Sequence, residues 1–139
     1  MTFSTRDVTT VIVAALVADG LKVGDAVAPD GGPPYVVVWP SPTGGMDGPI
    51  GTPHADEPFA WQFTCVGLIR QQAQGVQDAV RRVLLDGWRD LDFPDATQWR
   101  PPQWDVGDGL MRDDDTAGPP LFVAHPRIRF FLTPSEEAS

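Results

Sequence analysis

Apolar residues recur at Val8, Val11, Ile12, Ala15 and Leu16. Steps of three and four trace one side of a helix, so the pattern predicts a helix over about residues 5–18. Ser4 or Thr5 can cap its start, Asp7 sits where the helix dipole favours an anion, and Gly20 can supply the left-handed stop. Val13, Ala14 and Val17 widen the apolar surface, so more than one side of this helix is expected to be covered, by its own sheet or by another copy. Residues 21–34 read as a connection, because Pro29, Asp30, Gly31, Gly32, Pro33 and Pro34 break regular structure. The run Tyr35-Val36-Val37-Val38-Trp39, closed by Pro40, has no polar alternation and predicts a strand buried on both faces.

Residues 40–58 form a long Gly/Pro/Asp-rich loop whose large apolar residues are Met46 and Ile50. A strand follows over about residues 59–68, with Phe59, Trp61, Phe63 and Cys65 on one side and Ala60, Gln62, Thr64 and Val66 on the other. The two strands are expected to pair antiparallel. Ala73, Val76, Val80, Val83, Leu84 and Gly87 make a second helical stripe, over about residues 70–88. Residues 89–120 read mainly as a second long loop, with a short strand somewhere between Trp104 and Met111. The last strand is expected at about residues 121–132. Phe122, Ala124, Ile128, Phe130 and Leu132 share one face; His125, Arg127 and Arg129 share the other. Pro126 within it suggests an edge position or a bulge. The fold class is therefore α+β: a small mixed or antiparallel curved sheet flanked by two helices, in the order α-β-β-α-β-β, with long Gly/Pro-rich loops.

The chain has 139 residues, which suits a single domain over 1–139. Fourteen Gly and 15 Pro support the long connections. Ten basic against 19 acidic residues give a net charge of −9. That balance argues against gripping nucleic acid or an anionic membrane, since phosphate binding needs clustered positive charge. The apolar run Val8–Val17 is too short to span a bilayer and lacks the marks of a secretory signal, so a soluble protein made in a cytoplasm is expected.

Candidate chemistry is sparse. Cys65 lies mid-strand among aromatics and reads as a buried small hydrophobe. His54 and His125 have no partner at metal spacing. Asp105, Asp108, Asp113, Asp114 and Asp115 do not match a calcium loop, and read as a solvated acidic loop or as charge facing a partner or pore. Gly44–Gly51 is glycine-rich but lacks the Lys-Ser/Thr end of a phosphate loop. Arg127 and Arg129 read as surface ion pairs or as contacts to carboxylates of a neighbouring subunit. No nucleophile-base pair or catalytic carboxylate pair can be assembled, so no enzyme, cofactor or metal is expected.

Several phrases together resemble the tail terminator proteins of long-tailed bacteriophages, especially those of actinobacterial hosts. They are Pro34-Tyr35-Val36-Val37-Val38-Trp39-Pro40, the Gly/Asp/Pro loop after it, and Phe63-Thr64-Cys65-Val66-Gly67. Arg70-Gln71-Gln72-Ala73 then opens a helix containing Val80-Arg81-Arg82-Val83-Leu84-Leu85, and Arg112-Asp113-Asp114-Asp115 precedes a strand ending Phe130-Phe131-Leu132-Thr133-Pro134. The resemblance spans most of the chain and contains no catalytic signature.

It implies a structural virion protein, assembled in the host cytoplasm. Such proteins form a homo-oligomeric, hexameric ring on the head-proximal end of the tail tube. The ring ends tube polymerisation and joins the tail to the head connector. Implied partners are further copies of the chain, the tail tube protein and the head–tail connector protein; DNA passes through without specific binding. Candidate subunit or tube contacts are Met46, Ile50, Trp88, Trp99, Trp104, Arg127 and Arg129, since Trp and Arg are enriched at interfaces. For each tryptophan the alternative is packing on its own core. Asp47, Asp113, Asp114 and Asp115 are candidates to face an acidic lumen that repels DNA. The alternatives are a head-completion or connector-adaptor protein, and a small cytoplasmic binding module.

Overall fold

The computed structural model describes residues 5–40, 58–94, 96–105, 110–114 and 118–134. The first helix, α1, spans Thr5–Ala18, as its apolar stripe predicts. Val8, Ile12 and Leu16 are fully buried, one above the other along the helix. Gly20 ends it with φ +96°, a left-handed value that suits a residue without Cβ, and its N–H donates to the Val17 carbonyl at 2.9 Å. Val13 is half-buried against the core, while Ala14 and Val17 are exposed in the single copy.

The strands are β1 (Val23–Asp25), β2 (Tyr35–Pro40), β3 (Pro58–Gly67), β4 (Ala96–Asp105), β5 (Met111–Asp113), β6 (Leu121–Ala124) and β7 (Arg127–Pro134). They form one sheet around β3. On one side β3 pairs antiparallel with β2, with Val36 opposite Cys65 and Val38 opposite Phe63. On its other side the C-terminal half of β3 pairs with β6 and the N-terminal half with β7. β5 extends the sheet beyond β6, and β4 extends it beyond β7. Among the described strands, only β1, beside β2, runs parallel to its neighbour. The class is mixed α+β with a mostly antiparallel sheet and two α-helices.

The second helix, α2, spans Arg70–Arg81 and buries Ala73, Val76, Ala79 and Val80. Both helices lie on one face of the sheet. Val8, Ile12 and Leu16 from α1 and Val76 and Val80 from α2 share one core with Val36, Val38, Trp61, Phe63, Cys65, Ile128, Phe130 and Leu132. These strand residues have the same alternation parity, so one side of the sheet is apolar and helix-covered. Trp61 meets Phe130 edge to face at 5.5 Å, and its indole N–H donates to Thr9 Oγ1 at 2.9 Å, which satisfies a buried donor.

The element order departs from α-β-β-α-β-β in four places. β1 lies inside the expected 21–34 connection; at three residues it is too short to show a period, and the flanking bonds Val36 N–H to Lys22 O and Ala26 N–H to Val38 O hold it on β2. β4 and β5 occupy much of the expected 89–120 loop. The prolines Pro101 and Pro102 sit within β4 at an irregularity between Arg100 and Gln103, where an outer strand tolerates a missing donor. The expected short strand between Trp104 and Met111 is instead the end of β4 and the start of β5. The last strand is two strands, broken at His125-Pro126; Phe63 N–H donates to Pro126 O at 2.9 Å, so β3 bridges the break. The helix expected over 70–88 is α-helical only to Arg81. A π-helical turn over Arg82–Asp86 and a 3-10 turn over Trp88–Asp90 follow. No proline or glycine separates Val76 from Gly87, so hydrophobic periodicity reads through the change of pitch.

Candidate docking surface

Among the described residues, no helix lies on the other face of the sheet. Residues of opposite parity point there: Tyr35, Val37 and Trp39 from β2, Ala60, Gln62, Thr64 and Val66 from β3, Val123 from β6, and Arg127, Arg129 and Phe131 from β7. Val37, Ala60, Val66, Val123 and Phe131 are buried against their neighbours. Trp39 is 41% exposed and Trp99 45% exposed.

A bulge shapes this face. Gln98 lies opposite Leu132 and Arg100 opposite Phe131, so Trp99 is an extra residue in β4. The insertion lets Trp99 and Arg100 meet the same ring of Phe131. Trp99 packs edge-on at 5.5 Å, and the Arg100 guanidinium lies 4.5 Å from the Phe131 centroid and 5.8 Å from that of Trp99. The cluster presents an exposed cation beside an exposed aromatic.

Nearer β5, the face holds a shallow groove of about 360 Å³ lined by Tyr35, Thr64, Val66, Met111, Arg112, Asp113, Leu121, Val123 and His125. Its polar centre is Thr64. The Trp39 indole N–H donates to Thr64 Oγ1 at 3.1 Å, and His125 Nδ1 lies 3.4 Å from the same oxygen. Thr64 thus accepts from Trp39, and the direction of its contact with His125 Nδ1 depends on the imidazole tautomer.

The expected contact residues divide. Trp99, Arg127 and Arg129 lie on this open face. Trp88 and Trp104 do not: both are half-buried on the helix side. Trp104 packs against the core under the Arg81 guanidinium, 5.3 Å from its ring, and Trp88 lies 5.2 Å from Arg89. Trp104 thus packs on its own core, while Trp88 is half-buried beside it. Asp113 is exposed in β5, and Asp114 pairs with Arg112 at 2.8 Å. Met46, Ile50, Asp47 and Asp115 lie outside the described residues.

Trp39, Arg100 and Phe131 were not among the expected contacts. Trp39 sits in a strand expected to be buried on both faces, yet it lies open. Its parity is that of Tyr35 and of buried Val37, so the uniformly apolar run carried no signal for it. Arg100 and Phe131 meet only because of the bulge, which leaves no mark in the hydrophobic pattern.

Cys65 is fully buried, and desolvation pushes its thiol from 9.0 up to about 12, so it stays protonated and unreactive near neutrality. Among the described residues no three His, Cys, Asp or Glu side chains group to hold a metal, and no helix is long and apolar enough to cross a membrane. No family model matches the chain, and no curated protein matches its sequence.

Proposed function

We propose that this chain is a structural virion protein. It forms a ring on the head-proximal end of a bacteriophage tail tube, ends tube growth and offers a surface to the head connector. The observation that carries this reading is the helix-free sheet face, where Trp39, Trp99 and Phe131 lie beside Arg100, Arg127 and Arg129. A subunit that grips like copies and a tube end needs apolar surface to bury and charge to fix register. The sequence phrases resembling tail terminators add to it, as does a sheet with both helices on one side. The acidic balance suits a conduit through which DNA slides without being held. The chain has no catalytic role in this reading.

The groove around Thr64 and His125 favours a second reading, a small binding module, because a few polar groups converge there between apolar walls. Deleting the gene from the phage that encodes it separates the readings. Overlong or irregular tails detached from heads, seen by electron microscopy, are the expected result. Tails of normal length that fail to join filled heads would make the protein a connector adaptor instead. Normal virions would remove both phage roles and leave the binding module.

A further inference from the structure

We propose that the helix-free face of one copy receives the turn Asp86–Asp92 of the next copy, so that copies join head to tail. This deepens the ring reading above and rests on it. Along β7 and the β4 bulge, away from Asp113, the open face is basic and aromatic: Arg100 is exposed and held over Phe131 and Trp99, and Arg127 stands on the same face. The turn is its complement. Asp86, Asp90 and Asp92 are all exposed and make no described ion pair, while Arg89 is drawn over Trp88. Half-buried Trp88 and Leu91 set apolar surface among these acids, around a groove of about 260 Å³.

The two surfaces cannot meet within one copy. The turn is anchored on the helix side: the Trp88 carbonyl accepts a bond from Gln98 Nε2 at 3.0 Å, and Leu84 and Leu91 pack into the core there. The arginines lie across the sheet. Two unlike, complementary patches on opposite sides of a subunit give a heterologous contact, which closes into a ring when the rotation allows. Two copies of net charge −9 repel at long range, so copy-on-copy docking needs a local pairing of opposite sign.

A charge swap tests this. One variant carries Arg100→Glu and Arg127→Glu; the other carries Asp90→Arg and Asp92→Arg. Self-association is followed by analytical ultracentrifugation, and each fold by circular dichroism. Each variant alone should associate at least about tenfold more weakly than wild type. An equimolar mixture should regain most of that loss, because copies alternating around an even-numbered ring meet only complementary faces. Should the first variant fail to fold, Arg127→Glu alone replaces it. Association unchanged in both variants, or lost in both without recovery on mixing, overturns the pairing of these surfaces but leaves a ring. A wild-type chain that stays monomeric at every concentration overturns copy-on-copy docking. The tail lengths of the deletion phage then still decide whether the protein ends tube growth.

Discussion

At the scale of single residues, the sheet's two faces treat similar side chains in opposite ways. Trp61 and Trp39 both carry an indole N–H bonded to a threonine hydroxyl, to Thr9 and Thr64 respectively. Trp61 is fully buried under α1, whereas Trp39 lies open on the helix-free side. Cys65 shares the buried parity, and its chemistry follows. The folded chain keeps the thiol protonated up to about 12, while the unfolded thiol ionises from 9.0. Below that window both states hold the proton and Cys65 adds no pH dependence. As pH rises through it, the unfolded state alone releases the proton, so stability falls. The denaturation midpoint of wild type should therefore drop more steeply between about pH 9 and about pH 11 than that of Cys65→Ala, which cancels the titration of other groups. Near pH 8 a thiol reagent should label Cys65 only as fast as the chain opens. Immediate labelling of the native protein would contradict the burial.

At the scale of elements, α1 and the β2–β3 pair were legible because their signals are local and redundant. The α1 stripe recurs at helical spacing and ends at Gly20, and two runs of β-branched and aromatic residues flank one long connection. β4 was not legible, because Pro101 and Pro102 stop a central strand and are tolerated in an outer one. The openness of Trp39 was hidden for another reason. All five residues from Tyr35 to Trp39 are apolar, so neither parity announces itself as the outer one. Docking of α2 depends on a different local feature. A Cβ on Gly67 would meet Ala73 N at 2.5 Å and Gln72 Cβ at 2.6 Å, where the last residue of β3 touches the first turn of the helix. Gly67→Ala should therefore push α2 off the sheet and cost about 1–3 kcal/mol in urea unfolding. Gly75 lies mid-helix with nothing within 4 Å of its Cβ position. Gly75→Ala should go the other way and stabilise by about 0.5–1 kcal/mol. Equal effects at the two sites would mean that the backbone entropy of glycine, not close approach, governs Gly67.

At the scale of the whole molecule, the proposed head-to-tail association would be subject to two electrostatic effects of opposite sign, and their ranges would decide its salt dependence. The net charge of −9 on each copy repels the next. A domain of this length has a radius of gyration near 14 Å, so neighbouring centres lie about 30 Å apart. Coulomb repulsion between two such charges in water, damped over a Debye length of about 30 Å, amounts to about 4 kcal/mol at about 0.01 M salt. At about 0.1 M the Debye length is about 10 Å, and the repulsion falls below about 1 kcal/mol. Pairs such as Arg127 with Asp90 of the next copy would act at contact distance, well inside either Debye length, so low salt scarcely touches them. The apolar contribution of exposed Trp39 and Trp99 would not fade with salt. Association should therefore tighten roughly a hundredfold from about 0.01 to about 0.1 M salt, then weaken only a few-fold toward about 1 M as the contact pairs are screened. Sedimentation across a salt series reads this directly. A steady weakening from the lowest salt would mean that the arginine–aspartate pairs outweigh the net repulsion from the start. A steady rise to about 1 M would mean that the aromatics carry the joint and the charges do not contribute.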